Sequence, residues 1–282
     1  MFSRIAHHTA RYATRLAAAS LLAGAAIAPL PAMAQGDLLV APTRVILDGR
    51  RGAQVILSNI GTEEATYRIG MVLRRMGPDG NLMEVSDEEA NVLEKAALSM
   101  VRYAPRRIKL PPGQPQAVRI AARPAADLPD GEYRVHLSFN AIPKPRPAVS
   151  DGTPAQGLSV KLIPIYGVTI PLIIRHGQVE ATTAIDTARM LQTGDGRPIL
   201  SFAIERSGDA SVFGDLVAIP ARGEPMFLAR GVAVYPEVDR RMVNVVLNEE
   251  QAAALRGPVR LEYREPPERG GDVIAAIDTD LG

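Results

Sequence analysis

Apolar and polar residues alternate with a period of two through most of the chain. The alternating stretches run Leu39 to Leu47, Gln54 to Asn59, Thr66 to Leu73, Ala117 to Ala122, Tyr133 to Phe139, Leu158 to Ile174, Ile199 to Ile204, Val232 to Tyr235, Met242 to Leu247, Val259 to Tyr263 and Val273 to Ile277. Such alternation sets one side of an extended segment against a core and the other in solvent, so each stretch is predicted to be a β-strand. Turn signals stand between them, among them Asp48-Gly49, Pro78-Asp79-Gly80, Pro111-Pro112-Gly113, Pro129-Asp130-Gly131, Gly194-Asp195-Gly196 and Gly270-Gly271. Only Glu88 to Ser99 and Glu249 to Leu255 have the composition of helices, and both are short. Many strands on short connections predict an all-β protein of packed sheets.

The strands divide near Arg175-His176-Gly177, with about seven on either side, the content of one immunoglobulin-like sandwich each. The predicted organisation is two immunoglobulin-like β-sandwich domains in tandem, residues 35–175 and 176–282. The segment Pro143 to Gly157 carries Pro143, Pro145, Pro147 and Pro154, which remove backbone donors. It is predicted to be a long loop inside the first half, not a domain linker. Asp130-Gly131-Glu132-Tyr133 at a strand start has the form of a tyrosine corner, whose ring packs inward and whose hydroxyl bonds back to the turn. An ordinary half-buried strand tyrosine gives the same pattern.

The first residues change the setting. Arg4, Arg11 and Arg15 precede an apolar run from Leu16 to Ile27, and Ala32-Met33-Ala34 closes it, the order of a cleavable export signal. The run is about a dozen residues long, short of the roughly 20 that a spanning helix needs. A soluble exported chain starting at Gln35, with no membrane insertion, is therefore expected. Three of the 32 basic residues and none of the 31 acidic ones precede Gln35, which leaves 29 against 31. That near-balance gives no support for nucleic-acid or polybasic membrane binding. The chain has no cysteine, so an exported fold must rest on packed cores and not on disulfides. Beyond the leader, His136 and His176 stand far apart, with neither metal-ligand spacing nor a nucleophile motif around them. No metal, cofactor or catalytic residue is expected, and the chain does not read as an enzyme.

Several stretches carry a family resemblance: Thr43-Arg44-Val45-Ile46-Leu47-Asp48-Gly49, then Val55-Ile56-Leu57-Ser58-Asn59, then Ala104-Pro105-Arg106-Arg107-Ile108-Lys109-Leu110-Pro111-Pro112-Gly113 running on to Ile120, then Leu128-Pro129-Asp130-Gly131-Glu132-Tyr133 leading to Ala141-Ile142-Pro143. In that order and spacing they resemble the periplasmic chaperones of the chaperone–usher pilus pathway, which are two-domain Ig-like proteins. The resemblance covers residues 38 to 175 well and the second half weakly. It implies a periplasmic chaperone that binds, folds and caps pilus subunits and delivers them to an outer-membrane usher, as a monomer or a weak self-capped dimer. Members of the family lend a long strand to a subunit lacking its own last strand, pairing edge to edge. The matching strand is Leu158 to Ile174, whose even positions Leu158, Val160, Leu162, Pro164, Tyr166, Val168, Ile170, Leu172 and Ile174 make an apolar face. Val168 to Ile174 are expected to line the domain's own core, and Leu158 to Leu162 to fill the partner. Pro164 and Pro171 remove ladder donors and belong at an edge or a bulge. Pro164 stands where the family has an aliphatic knob.

The resemblance also implies an anchor for the subunit's terminal carboxylate in the cleft between the domains, made by a first-strand arginine and a lysine on the long strand. Arg44 matches the arginine, and a guanidinium grips a carboxylate bidentately. The lysine is missing. Pro171 holds its position with Thr169 close by, and Lys161, the only lysine of that strand, lies too far from the cleft. Glu132, Arg175 and Glu268 match the family's interdomain ionic cluster. The departures at Thr169 and Pro171 leave open non-classical subunits of the spore-coat type. The structural alternative, a pilus subunit or Ig-like surface adhesin, fits less well, because a subunit is a single incomplete domain, commonly with a disulfide. A periplasmic hydrolase lacks a paired nucleophile and base.

Overall fold

The computed structural model describes residues 38–143 and 165–282. The predicted leader, residues 1–34, and the stretch with Leu158, Val160, Lys161, Leu162 and Pro164 lie outside the described residues. The first ten strands are β1 (Leu38–Ala41), β2 (Val45–Leu47), β3 (Ala53–Asn59), β4 (Ala65–Met76), β5 (Leu82–Val85), β6 (Val101–Ala104), β7 (Arg107–Leu110), β8 (Gln116–Ala122), β9 (Gly131–Ile142) and β10 (Gly167–His176). A helix, α1 (Val92–Met100), joins β5 to β6. One sheet runs β1-β3-β8-β6; the other runs β2-β10-β9-β4-β5, with β7 also on β4. Val55, Leu57, Val118 and Ile120 from the first sheet meet Ile69, Val135, Leu137, Phe139, Ile170 and Leu172 from the second in one core. This is an immunoglobulin-like sandwich whose opening segment is split between sheets: β1 pairs antiparallel with β3, and β2 pairs parallel with β10.

Seven further strands make a second sandwich: β11 (Ala181–Gln192), β12 (Pro198–Gly208), β13 (Val212–Pro220), β14 (Met226–Val234), β15 (Arg240–Val246), β16 (Pro258–Arg264) and β17 (Val273–Asp280). Its sheets are β11-β12-β15 and β14-β13-β16-β17, with α2 (Glu249–Ala254) before β16. The core holds Leu200, Phe202, Ile204, Leu216, Leu261 and Tyr263, and its apolar contact continues to Met76 and Ile173 of the first sandwich. The all-β, two-sandwich class expected from the alternation is therefore the observed one.

Differences from the sequence expectation have local causes. β5, β6, β7, β11 and β13 were not predicted: the first three are only four residues each, β11 carries Thr182, Thr183, Asp186 and Thr187 with little apolar alternation, and β13 contains Gly214 and Asp215. The first helix starts at Val92 and not at Glu88, because Asn91 caps it: the Asn91 side chain accepts from the Glu94 N–H at 2.9 Å, and the Glu94 carboxylate accepts from the Asn91 N–H at 2.8 Å. β10 begins at Gly167, so Ile165 and Tyr166 are exposed and precede the strand, although Ala141 N–H still donates to the Tyr166 carbonyl at 3.0 Å.

β10 pairs with β9 over its whole length, from Gly167 opposite Asn140 to His176 opposite Gly131. On its other side β2 covers only Leu172 to Ile174. Gly167 to Pro171 thus form an open edge among the described strands, and Pro171 sits where pairing with β2 stops. The alternation sends Ile170, Leu172 and Ile174 into the first core and Ile173 toward the second.

The tyrosine corner is present, with the Tyr133 ring buried and its hydroxyl donating to the Pro129 carbonyl at 2.7 Å. Tyr133→Phe removes only that bond and should cost about 1 kcal/mol. In thermal unfolding this should appear as a melting temperature lower by about 2–4 °C.

Candidate functional site

A cleft of about 510 Å³ opens between the two sandwiches. Thr43, Arg44 and Pro171 line it from the first, and Phe213, Asp215, Arg230, Tyr235 and Glu268 from the second. Arg44 lies in the short segment between β1 and β2, where the chain crosses from one sheet to the other. It is half-buried: its guanidinium stands 4.6 Å from the Phe213 ring centroid and 5.5 Å from that of Tyr235. Nη2 donates to Ser211 Oγ at 2.9 Å and Nη1 to the Tyr235 hydroxyl at 3.4 Å. Burial holds the Arg44 pKa below its ordinary value, against the raising influence of Tyr235 and Glu132. An arginine in such a place keeps its charge, and its buried Nε has no partner among the described residues.

Ser211 passes this contact on. Its hydroxyl donates to Glu132 Oε2 at 2.8 Å, and its N–H donates to the same oxygen at 3.0 Å. Glu132 stands directly opposite Arg175 in the β9–β10 register, and Arg175 Nε donates to that oxygen at 3.2 Å. Arg175 also donates to the Ser211 carbonyl at 3.2 Å. The Glu132 side chain is fully buried, so both sandwiches contribute to neutralising one desolvated carboxylate. Glu268 stands apart from this group. It lies on a short 3-10 turn, Pro267–Arg269, in the cleft wall, with no ion pair among the described residues. The expected three-member cluster is corrected accordingly: the turn places Glu268 on the cleft wall, and the third contributor from the second sandwich is Ser211. Of the other expected residues, Tyr166 is exposed ahead of the open edge, and Thr169 sits on that edge opposite Ser138.

A second polar tether joins the sandwiches through Glu237. Its carboxylate accepts from the Met76 N–H at 2.8 Å and from both terminal nitrogens of Arg134, one of them at 3.1 Å. The Arg134 guanidinium lies 3.6 Å from the Tyr235 ring centroid. Beside it the β4–β5 turn docks on β15, with Met242 N–H donating to the Pro78 carbonyl at 2.8 Å. Ser211, Phe213, Arg230, Tyr235 and Glu237 were not singled out in the sequence. Gly231, immediately before the apolar stretch Val232 to Tyr235, is a signal that could have pointed to this wall, since an isolated glycine beside a strand pattern suggests a bulge.

Together, fold and cleft define a two-sandwich Ig-like protein with a desolvated arginine held between its halves. No protein-family model and no curated protein matches the chain. Among solved structures it is similar to the Pseudomonas aeruginosa CupB2 chaperone, at 16% identity and TM-score 0.45, over 86% of this chain and 100% of that one. It is similar to a chain of the Salmonella enterica SafA pilin complex with the SafB chaperone, at 15% identity and TM-score 0.43, over 87% and 97%. The Acinetobacter baumannii CsuC–CsuE complex of chaperone and tip adhesion subunit gives 14% identity and TM-score 0.43, over 87% and 99%.

His136, on β9, is buried with neither ring nitrogen partnered among the described residues. Burial pushes its imidazole down to about 3 from 6.5, helped by the charges of Arg134, Arg74 and Arg44. The folded protein therefore holds it neutral where the unfolded chain would protonate it. Stability should be intact above about pH 6.5 and fall by about 1.4 kcal/mol per pH unit as pH drops toward about 3. Carboxylates held low by backbone N–H groups, such as Asp48 and Asp79, add their own loss only below about pH 4. Denaturant titrations between about pH 6.5 and 5 should show the slope in the wild type and a flat profile in His136→Leu. An equal slope in the variant would assign the acid sensitivity to other groups.

Proposed function

We propose that this chain is a periplasmic chaperone that caps pilus-type subunits and delivers them for assembly. It lends the open edge of β10, extended by the preceding apolar residues, to a subunit that lacks a strand. One observation carries the reading: the unpaired edge Gly167 to Pro171 runs directly into the cleft that holds Arg44, because Pro171 belongs to both. A strand added to that edge satisfies its free backbone groups and ends beside a cation. Exposed Ile165 and Tyr166 ahead of the edge continue the apolar character of the stretch that contains Leu158, Val160 and Leu162. The pairing of β2 with β10 and of β1 with β3 supports a chaperone over a pilus subunit, since the first sandwich already has its opening and closing strands. An outer-membrane usher is the expected second partner.

Arg44→Ala should fold and lose subunit capture by about ten- to a hundredfold, the effect of removing one charge-assisted bond. Co-purification with the subunit encoded beside this chain's gene measures it, and undiminished capture would move the anchor elsewhere. Val160→Asp with Leu162→Asp should leave the melting temperature unchanged and abolish capture. A lowered melting temperature would return these side chains to the domain's own core, where an unpaired carboxylate costs several kcal/mol.

A further inference from the structure

Two turns of the second sandwich reach the first, and both are crossings between its sheets. One carries the chain from β12 to β13 and presents Ser211 to Glu132; the other carries it from β14 to β15 and presents Tyr235 and Glu237. A crossing turn leaves the ladder, so its buried carbonyls need donors from elsewhere.

Arg206, near the end of β12, supplies them to both turns. Nη1 donates to the carbonyls of Gly208 at 2.7 Å and Ala210 at 3.1 Å, on the first turn. On the second, Nε donates to the Val238 carbonyl at 3.3 Å, and Nη2 donates to the Pro236 carbonyl at 3.1 Å and to Asp239 Oδ1 at 3.3 Å. A guanidinium has five N–H donors, and all of them are used. The Arg206 side chain is 2% exposed, whereas that of Asp239 is 91% exposed. Such a pair is worth little as a salt bridge, so what the buried charge secures is the position of four carbonyls in a rigid planar fork.

The first turn also holds the chain where it enters the second sandwich. The N–H groups of Asp209 and Ala210 donate to the Glu180 carbonyl at 3.0 and 3.2 Å, and Asp209 Oδ1 accepts from the Glu180 N–H at 2.7 Å. Gly208 has φ +106°, and a Cβ there would come within 2.3 Å of the Glu180 carbonyl oxygen. This close approach requires glycine.

We infer that Arg206 is the positioning residue of the domain interface. It holds the two turns in one mutual arrangement, so that Ser211 reaches Glu132 while Glu237 reaches Arg134 and Met76. Its loss should free the angle between the sandwiches and leave each sandwich folded. The consequence for capture rests on the proposed function, because the cleft beside Arg44 has its shape only at one angle.

The chain has no cysteine, so spin labels can be introduced in pairs. Double electron–electron resonance on the full exported protein reads Ala126→Cys with Glu250→Cys across the sandwiches, and Ala184→Cys with Glu250→Cys within the second; all three positions are exposed. Both distance distributions should be narrow in the otherwise unchanged chain. Arg206→Lys should broaden the first and leave the second narrow, and should weaken capture of the subunit encoded beside this chain's gene by about tenfold. A cross-sandwich distribution that stays narrow overturns the inference. Broadening of both pairs assigns Arg206 to the internal fold of the second sandwich and overturns it too. Should Arg206→Lys not fold, Asp239→Ala removes one of the five bonds: broadening of the cross pair alone then supports the inference, and an unchanged cross pair overturns it. A broadened cross pair with undiminished capture overturns only the tie to capture. A protein without these changes at Arg206 or Asp239 that captures no subunit overturns the strand-capture reading, and the distances still decide the role of Arg206.

Discussion

The buried carboxylate of Glu132 is the constraint on which the relation between the two sandwiches depends. A charge with no exposed surface is costly unless its partners are in place, and breaking such a pair costs about 3–5 kcal/mol. Here the partners come from both halves: Arg175 from β10 and Ser211 from the turn between β12 and β13 of the second sandwich. Net stabilisation is not the main consequence, since an apolar contact of similar size would serve as well. The consequence is geometric. A carboxylate that must keep its Arg175 and Ser211 bonds at once fixes the position of one sandwich on the other.

The chain delivers this arrangement through local rules. The tyrosine corner fixes the start of β9, so Glu132, the residue before Tyr133, enters the sheet directly opposite Arg175. Ser211 then links Glu132 to Arg44, and Tyr235 links Arg44 to Arg134, whose guanidinium is bound by Glu237. The cleft arginine is therefore one end of a polar chain running through the whole interface. His136 belongs to the same environment: held neutral among three guanidiniums, it adds no further charge to a region that already concentrates cations.

The fold was legible because a two-residue period is a direct record of sheet burial. Ile170, Leu172 and Ile174 lie in the core as the alternation expects, and the antiparallel register sets Glu132, a residue singled out by resemblance alone, opposite Arg175. β11 and β13 were not legible: threonines and alanines blur the contrast in one, and Gly214-Asp215 interrupts it in the other. The cleft was legible from one side only. Arg44 stands in a recognisable opening segment, whereas Phe213, Arg230 and Tyr235 reach the cleft through a bulge and a sandwich-to-sandwich packing that no local pattern encodes. Glu268 lies on a turn in the cleft wall, and its position in the chain alone says nothing about which wall that turn faces.

Arg44 and the Phe213 and Tyr235 rings beside it stand on different sandwiches, so the shape of the cleft is set by the interdomain angle and not by either domain alone. A cleft built on one strand would keep its shape however the halves moved; this one keeps it only while both tethers hold. Bidentate recognition of a carboxylate is sensitive to displacements well below the length of a side chain. Residues that never reach the cleft, Glu132 and Glu237 foremost, are therefore tied to its geometry as closely as those that line it. Burying charged groups at an interface that apolar residues could have filled makes physical sense on those terms, because hydrogen-bonded charges tolerate one arrangement where greasy surfaces would tolerate several.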